Sequence, residues 1–206
     1  MWFLSASVKS LSTYAMTTPE TRTVYYVAAS LDGFIAAEDD SLEWLFPLGD
    51  PSESSYPEFI ADVGAIAMGS TTYEWIQRNS EKAQAESVSS WPYVQPTWVF
   101  TKRKLEAVPG ADIQFFYGDA GVAHAEMRAE SQGKNIWIVG GGDLAGQFYD
   151  AGLLDEIIVQ LGAVTLGQGK SLLPRRILSP ALRLTAIRQM GDRMAELRFE
   201  VQKPRA

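Results

Sequence analysis

Apolar residues run along this chain in two periods, and the switches between them mark out strands and helices. Arg22–Ala29 (RTVYYVAA), Ala65–Met68, Pro96–Thr101 (PTWVFT), Asp112–Phe116 and Asn135–Val139 are short runs of β-branched, aromatic and other apolar residues. They are too short for buried helices and predict strands. Ser52–Val63 carries a serine cap, acidic residues in its first turn, and Phe59, Ile60 and Val63 on one side, so it predicts a helix whose start is disturbed by Pro57. Gly69-Ser70-Thr71-Thr72 turns into a helix expected from Tyr73 to about Arg78, and Asp119 opens another that reaches Gln132. Leu182–Met190 and Met194–Val201, closing through Gly191-Asp192, predict an antiparallel hairpin.

The stretch Lys134–Leu161 is one βαβ unit. Asn135–Val139 gives its first strand, Leu144, Phe148 and Tyr149 recur at helical spacing, Gly152 ends the helix, and Leu153–Leu161 returns as a strand. Between strand and helix stand Gly140, Gly141 and Gly142, followed by Asp143 in position to cap. A helix N-terminus reached through residues without side chains leaves N–H groups and a positive dipole end open to a phosphate. A tight corner that binds nothing would also use glycine, but three in a row exceed what a turn requires. The spacing is not G-x-G-x-x-G, because Asp-Leu-Ala separates Gly142 from Gly146.

Composition narrows the partners. A chain of 206 residues, 46% hydrophobic, is long enough for one well-buried core, so residues 21–206 are expected to form a single domain behind a loosely attached tail at 1–20. That tail lacks the basic start and sustained apolar run of a secretory signal, and no run approaches a membrane span, so a cytoplasmic protein is expected. A net charge of −7 argues against nucleic acid and anionic membranes and for a small-molecule partner. The absence of cysteine excludes disulfides and thiolate chemistry, and the single histidine, His124, reads as a surface or packing residue, so no metal site is expected.

Against this acidic background, Lys102, Arg103 and Lys104 directly follow the strand ending at Thr101. Such a cluster suits the extra phosphate of a nucleotide, or equally a solvated loop that balances charge. Residues 79–95 are polar and serine-rich and read as a surface excursion, and Glu38–Phe46 as a loop with a short helical turn. GAVTLGQGKSLLP is not a P-loop: the pattern needs glycine at Val164, and Pro174 prevents the long helix that should follow.

Five segments, VAASLDGFIA, AIAMGSTTYE, TWVFTKR, IWIVGGGDLAGQF and LGQGKSLLP, taken in this order, resemble the dihydrofolate reductase-like fold and in particular the bacterial RibD C-terminal domain-like reductases, from about Arg22 to Lys203. The resemblance implies an α/β three-layer fold with a mainly parallel central sheet of about eight strands, a C-terminal antiparallel hairpin, and NADPH across the strand ends. It places Val139, Gly140, Gly141, Gly142, Asp143 and Leu144 at the pyrophosphate and nearby cofactor, with Gly69, Ser70, Thr71 and Thr72 on its other side. Thr101, Lys102 and Arg103 would meet the 2′-phosphate, and Ala28 and Ile35 the nicotinamide.

The chemistry so implied is hydride transfer from NADPH to a pteridine-like or pyrimidine-like substrate, of the riboflavin-precursor or dihydrofolate type. Phe34 through Trp44 would form the lid and substrate wall, with Tyr56 and Ile60 as further walls. Glu53 is the first candidate for proton donor and Asp32 the second, water or the substrate's own groups being the other source. A deaminase half is excluded by the missing cysteines. The family pattern also implies a homodimer through the C-terminal strands. The alternative from another class is a non-catalytic nucleotide-binding or assembly protein of the same fold.

Overall fold

The computed structural model describes residues 20–49, 54–83 and 91–203, the side chains of 80–83 excepted. The expected tail (apart from Glu20) and the first residues of the expected Ser52–Val63 helix lie outside the described residues. In chain order the elements are β1 (Thr23–Ser30), β2 (Phe34–Ala36), a 3-10 turn at Phe46–Leu48, α1 (Tyr56–Ala61), β3 (Val63–Gly69), α2 (Ser70–Ala83), β4 (Thr97–Phe100) and β5 (Ile113–Phe116). Then come α3 (Ala120–Glu130), β6 (Asn135–Gly140), α4 (Gly142–Asp150), β7 (Glu156–Gly162), β8 (Lys170–Ser171), β9 (Leu182–Met190) and β10 (Met194–Val201).

Eight strands form one sheet in the order β5-β4-β3-β6-β1-β7-β10-β9, parallel from β5 to β7 and antiparallel from β7 onward, while β2 and β8 pair separately. The period of two decides which side chain enters which layer. On β1, Tyr25 and Ala29 face one core with α3's Met127 and α4's Phe148, whereas Val24 and Tyr26 face the other with α2's Tyr73 and Ile76. On β6 the same alternation sends Ile136 and Ile138 one way and Trp137 the other.

Chain direction explains the two helical layers. From β1 the chain steps to β3, β4 and β5 toward one edge, then returns through α3 to β6 and through α4 to β7. Right-handed crossovers running in opposite directions put their helices on opposite faces. The neighbours β3 and β6 therefore lead into helices on different faces, and a crevice opens between their carboxyl ends.

Several boundaries differ from the sequence reading, each for a local reason. Only Tyr56–Ala61 of the expected Ser52–Val63 helix is helical among the described residues; Pro57 occupies its first turn, where a missing N–H costs nothing, and Val63 already belongs to β3. Helix α2 starts at Ser70 and runs to Ala83, so the hydroxyl turn is part of the helix itself. Asp143 does not cap α4: Gly141 stands at that position without a side-chain bond, and Asp143 is in the first turn. β7 starts at Glu156, because Leu153 N–H bonds back to Phe148 O and Leu154 is fully buried as a plug under α4. The expected surface excursion returns to the core at Trp91, only 5% exposed and 5.5 Å from the Tyr73 ring. His124 is buried on α3, within 2.9 Å of Thr23 Oγ1, so its role is packing in the interior. Among the described residues no helix is long and apolar enough to cross a membrane.

Candidate functional site

A cleft of about 840 Å³ opens at the carboxyl ends of β1, β3 and β6, where the helical layers diverge. Gly69 and the first turn of α2 (Ser70, Thr71, Thr72) form one lip, and Gly140 through Leu144 form the other. Both lips are the beginnings of helices, whose first-turn N–H groups lack intrahelical partners and carry the positive end of the dipole. The cleft therefore presents two anion-favouring ends to one ligand.

The three glycines are required for different reasons. A Cβ on Gly142 would lie 2.3 Å from Ser171 O and 2.4 Å from Leu172 O, so this glycine lets α4 press onto β8. A Cβ on Gly140 would meet Thr72 Oγ1 at 3.2 Å, closing the gap between the lips. At Gly141 it would touch nothing nearer than Ile35 Cδ1 at 4.0 Å, so here the missing side chain leaves cleft space open. The Gly140–Gly141 peptide is cis.

Beyond the lips the walls are aromatic. Tyr26, Tyr56, Tyr93 and Trp137 line the cleft, with Trp75 on α2 opposite the 40–45 loop. Trp137 lies 5.8 Å from Tyr56 and 5.5 Å from Tyr93 in edge-on contacts, and its indole N–H donates to Tyr26 O. Burial raises the phenol pKa of Tyr26, Tyr56 and Tyr93, so these hydroxyls stay neutral. Behind Tyr26 sits a carboxylate: Glu196, 2% exposed, accepts from Ser55 Oγ at 2.5 Å, from Gln160 Nε2 at 3.3 Å and from Arg198 Nε at 3.0 Å. Gln160 also donates to the Tyr26 hydroxyl.

This fold and cleft agree with a sequence match: the model of the RibD C-terminal domain family covers residues 23–195. The chain belongs to that family. It is 32% identical over 174 residues to the uncharacterized protein YwjB of Bacillus subtilis (strain 168), a match spanning 84% of this chain and 94% of that protein. Among solved structures it resembles a putative riboflavin biosynthesis protein from Shewanella sp. PV-4, with a TM-score of 0.73, 21% identity, and coverage of 89% of this chain and 100% of that one. It also resembles the diaminohydroxyphosphoribosylaminopyrimidine deaminase/5-amino-6-(5-phosphoribosylamino)uracil reductase of Thermotoga maritima, with a TM-score of 0.61, 13% identity, and coverage of 89% of this chain and 57% of that one. At these identities the two structures speak for the fold.

In this RibD C-terminal domain the residues expected at the cofactor largely meet in one place. Ala28, Ile35, Gly69, Ser70, Thr71, Thr72, Val139, Gly140, Gly141, Gly142, Asp143 and Leu144 all line the cleft, as does Tyr56. Asp143 is held in its charged form by Gln147, which donates at 3.0 Å, and by Arg175 at 3.0 Å, both lowering its pKa. Arg175 reaches on to Asp150 at 2.7 Å and lies across Gly146, where a Cβ would be 2.6 Å from the guanidinium carbon.

Other expected residues stand elsewhere. Thr101, Lys102 and Arg103 follow the cleft-lining Phe100 at the end of β4 without lining the cleft; Arg103 pairs through both terminal nitrogens with Glu74 of α2, at 3.0 and 2.8 Å, and Lys102 lies over the Tyr117 ring. Phe34 pairs with Ser171 outside the lining, and Ile60, on α1 itself, packs half-buried against the core. Trp44 packs at Gly162, where a Cβ would be 3.4 Å from its ring, instead of forming a cleft wall. The Asp32 carboxylate is committed to its turn: it accepts from Ser30 Oγ at 2.6 Å, Leu166 N–H at 3.1 Å and Gly167 N–H at 2.7 Å, which together lower its pKa. Glu53 lies outside the described residues.

Sequence reasoning missed Trp75, Tyr93 and Trp137 as walls, and Lys170 and Ser171 of β8 as floor. Trp137 was legible as strand, and its alternate position to Ile136 and Ile138 was the available signal for its facing the other way. Tyr93 sits in a polar stretch that offered no periodicity.

Proposed function

We propose that this chain is a reductase of the RibD C-terminal kind that binds NADPH in the cleft and reduces a flat pteridine-like or pyrimidine-like ring. The observation that carries this reading is the convergence of two helix N-termini on one cleft that continues between aromatic walls. The donor set fits the cofactor: neutral N–H groups and hydroxyls at the lips for a pyrophosphate, an open position at Gly141, and cations beyond β4. When bound, the cofactor supplies the hydride.

In this reading the chain's own residues bind, orient and shield. Gly69–Thr72 and Gly140–Leu144 take the pyrophosphate between them, and Ala28 and Ile35 border the nicotinamide. Lys102 and Arg103 take the 2′-phosphate, Arg103 exchanging the Glu74 carboxylate for it. Proton delivery falls to Glu53 or to water, since Asp32 already serves three donors. NADPH titration by calorimetry tests the reading: binding with preference over NADH is expected, and no binding of either dinucleotide would overturn it.

One observation favours the second reading, a nucleotide-binding protein without turnover. The carboxylates that line the cleft among the described residues are Asp40 and Asp143, paired with Lys170 at 3.4 Å and Arg175 at 3.0 Å. Loss of nicotinamide absorbance in the presence of dihydrofolate, the ribosylaminopyrimidine precursor of riboflavin, or simple ketones and imines separates the two. Binding of NADPH with no oxidation against any of these would select the second.

A homodimer belongs to the same proposal. A register shift at Arg198/Phe199 puts Leu184 opposite Phe199 and Ile187 opposite Leu197, so both leucine and isoleucine sit on one side of edge strand β9, 48% and 67% exposed. Light scattering at micromolar concentration is expected to give twice the chain mass, reverting to one chain in Leu184→Glu/Ile187→Glu.

A further inference from the structure

The substrate end of the cleft differs in charge from the lips, and the difference bears on which rings it admits. Past Trp75 the cleft runs into a second hollow of about 300 Å³ that shares Asp40, Leu42 and Trp75 with it. Among the described residues the ionisable ones of that hollow are Asp39, Asp40, Glu43 and Arg78. Lys170, the cation lining the main cleft among the described residues, is within 3.4 Å of Asp40 and so is already opposed by a carboxylate. With Arg78 and Lys170 both set against Asp39, Asp40 and Glu43, the described residues of this rim carry one more negative charge than positive. The walls facing it, Tyr26, Tyr56, Tyr93, Trp75 and Trp137, contribute faces and neutral hydroxyls only.

A phosphomonoester brings nearly two negative charges and demands a guanidinium, an ammonium or a helix N-terminus. The long helices that start at the cleft, α2 and α4, do so at the dinucleotide lips, whereas α1, which starts at Tyr56 on the aromatic wall, has six residues and Pro57 in its first turn. At the aromatic end a phosphate would meet a net negative rim, whereas an uncharged ring gains stacking area on the tyrosines and tryptophans without paying for charge burial. We propose that the second substrate of this chain is an unphosphorylated flat heterocycle, selected by the aromatic walls and by repulsion of phosphate at the Asp39–Glu43 rim.

This inference rests on the reductase reading for its assignment of the lips to the dinucleotide, and the experiment separates the two. The full-length chain is first titrated with NADP⁺ by calorimetry. With NADP⁺ saturating, it is then titrated with 6-hydroxymethylpterin and with the phosphate ester of the same compound, at low and at physiological salt. The unphosphorylated pterin is expected to bind about ten-fold tighter at low salt, a gap that narrows as salt screens the rim. Asp39→Asn/Glu43→Gln is expected to narrow the gap at low salt by strengthening binding of the ester alone. Equal or tighter binding of the ester in the unaltered chain overturns the inference, as does failure of both pterins to bind while NADP⁺ does. Failure of NADP⁺ itself sinks the cofactor reading, and the pterin comparison is then run on the free chain, where the same order is expected on the same charges.

Discussion

The Ser55 hydroxyl donates to the Glu196 carboxylate across 2.5 Å, joining the residue that precedes α1 to the middle of β10. The same carboxylate holds Gln160, which in turn donates to the Tyr26 hydroxyl in the cleft wall. Burial pushes the Glu196 pKa up, but the bonds from Ser55, Arg198 and Gln160 and the Arg198 charge outweigh it, and the net direction is down from 4.5.

A carboxylate lowered in the folded state contributes stability that is present above its unfolded pKa and lost as pH falls through the folded one. Glu196→Ala is therefore expected to lose about 3 kcal/mol at neutral pH, taking from Arg198 its carboxylate and from Ser55 and Gln160 one acceptor each. Urea unfolding between pH 7 and pH 3 checks this. The unaltered chain should lose stability below about pH 4.5 more steeply than Glu196→Gln, and parallel curves would mean that the carboxylate carries no linked proton.

His124 shifts in the same direction for a different cause. Burial lowers its pKa from 6.5, Arg128 and Lys203 lower it further, and Asp155 opposes them, so the folded state favours the neutral ring that bonds Thr23. As pH falls below 6.5 the unfolded chain takes up the proton first, and stability drops. Since the chain has a single histidine, a decline in Tm from pH 7.5 to 5.5 should vanish in His124→Gln. An unchanged slope in that variant would assign the decline to another group.

Two adjacent glycines should respond differently to a methyl group. Gly142→Ala drives a Cβ into the carbonyls of Ser171 and Leu172 at 2.3 and 2.4 Å and is expected to cost about 2 to 3 kcal/mol of stability. Gly141→Ala meets only Ile35 at 4.0 Å, so its Tm should stay close to that of the unaltered chain while dinucleotide affinity falls at least about ten-fold. Thermal unfolding and calorimetry on both variants decide it; equal losses of stability would show that Gly141 is also a packing residue.

The strands, the glycine corner and the C-terminal hairpin were legible because short apolar runs and fixed turn residues are local signals; the hairpin bounds at Leu182–Met190 and Met194–Val201 came through unchanged. The lips were legible for the same reason. The walls were not. Whether Trp44 or Trp75 faces the cleft depends on how a loop lies over Gly162 and on which face of α2 turns toward that loop, neither of which follows from local sequence. Glu196 was equally hidden: a glutamate alternating with Ala195 and Leu197 on an edge-proximal strand reads as solvent-facing until α1 covers it with Ser55.

The cations beyond β4 yield the last prediction. Arg103 is bonded to both oxygens of Glu74, at 3.0 and 2.8 Å, and both side chains are partly exposed, so solvent screens the pair and it is worth little to stability. For affinity the carboxylate is a competitor, because a 2′-phosphate must replace it at the same planar fork. Arg103→Ala is expected to weaken NADPH by about five- to ten-fold and leave NADH unaffected, collapsing the preference between them. Glu74→Gln should do the reverse and tighten NADPH by a few-fold, since the amide releases the guanidinium without removing it. Calorimetric titration of both dinucleotides into both variants provides the check. If Glu74→Gln weakens NADPH, then Glu74 orients Arg103 for the phosphate instead of competing with it. If Arg103→Ala changes neither cofactor, the basic cluster is a solvated loop that balances charge.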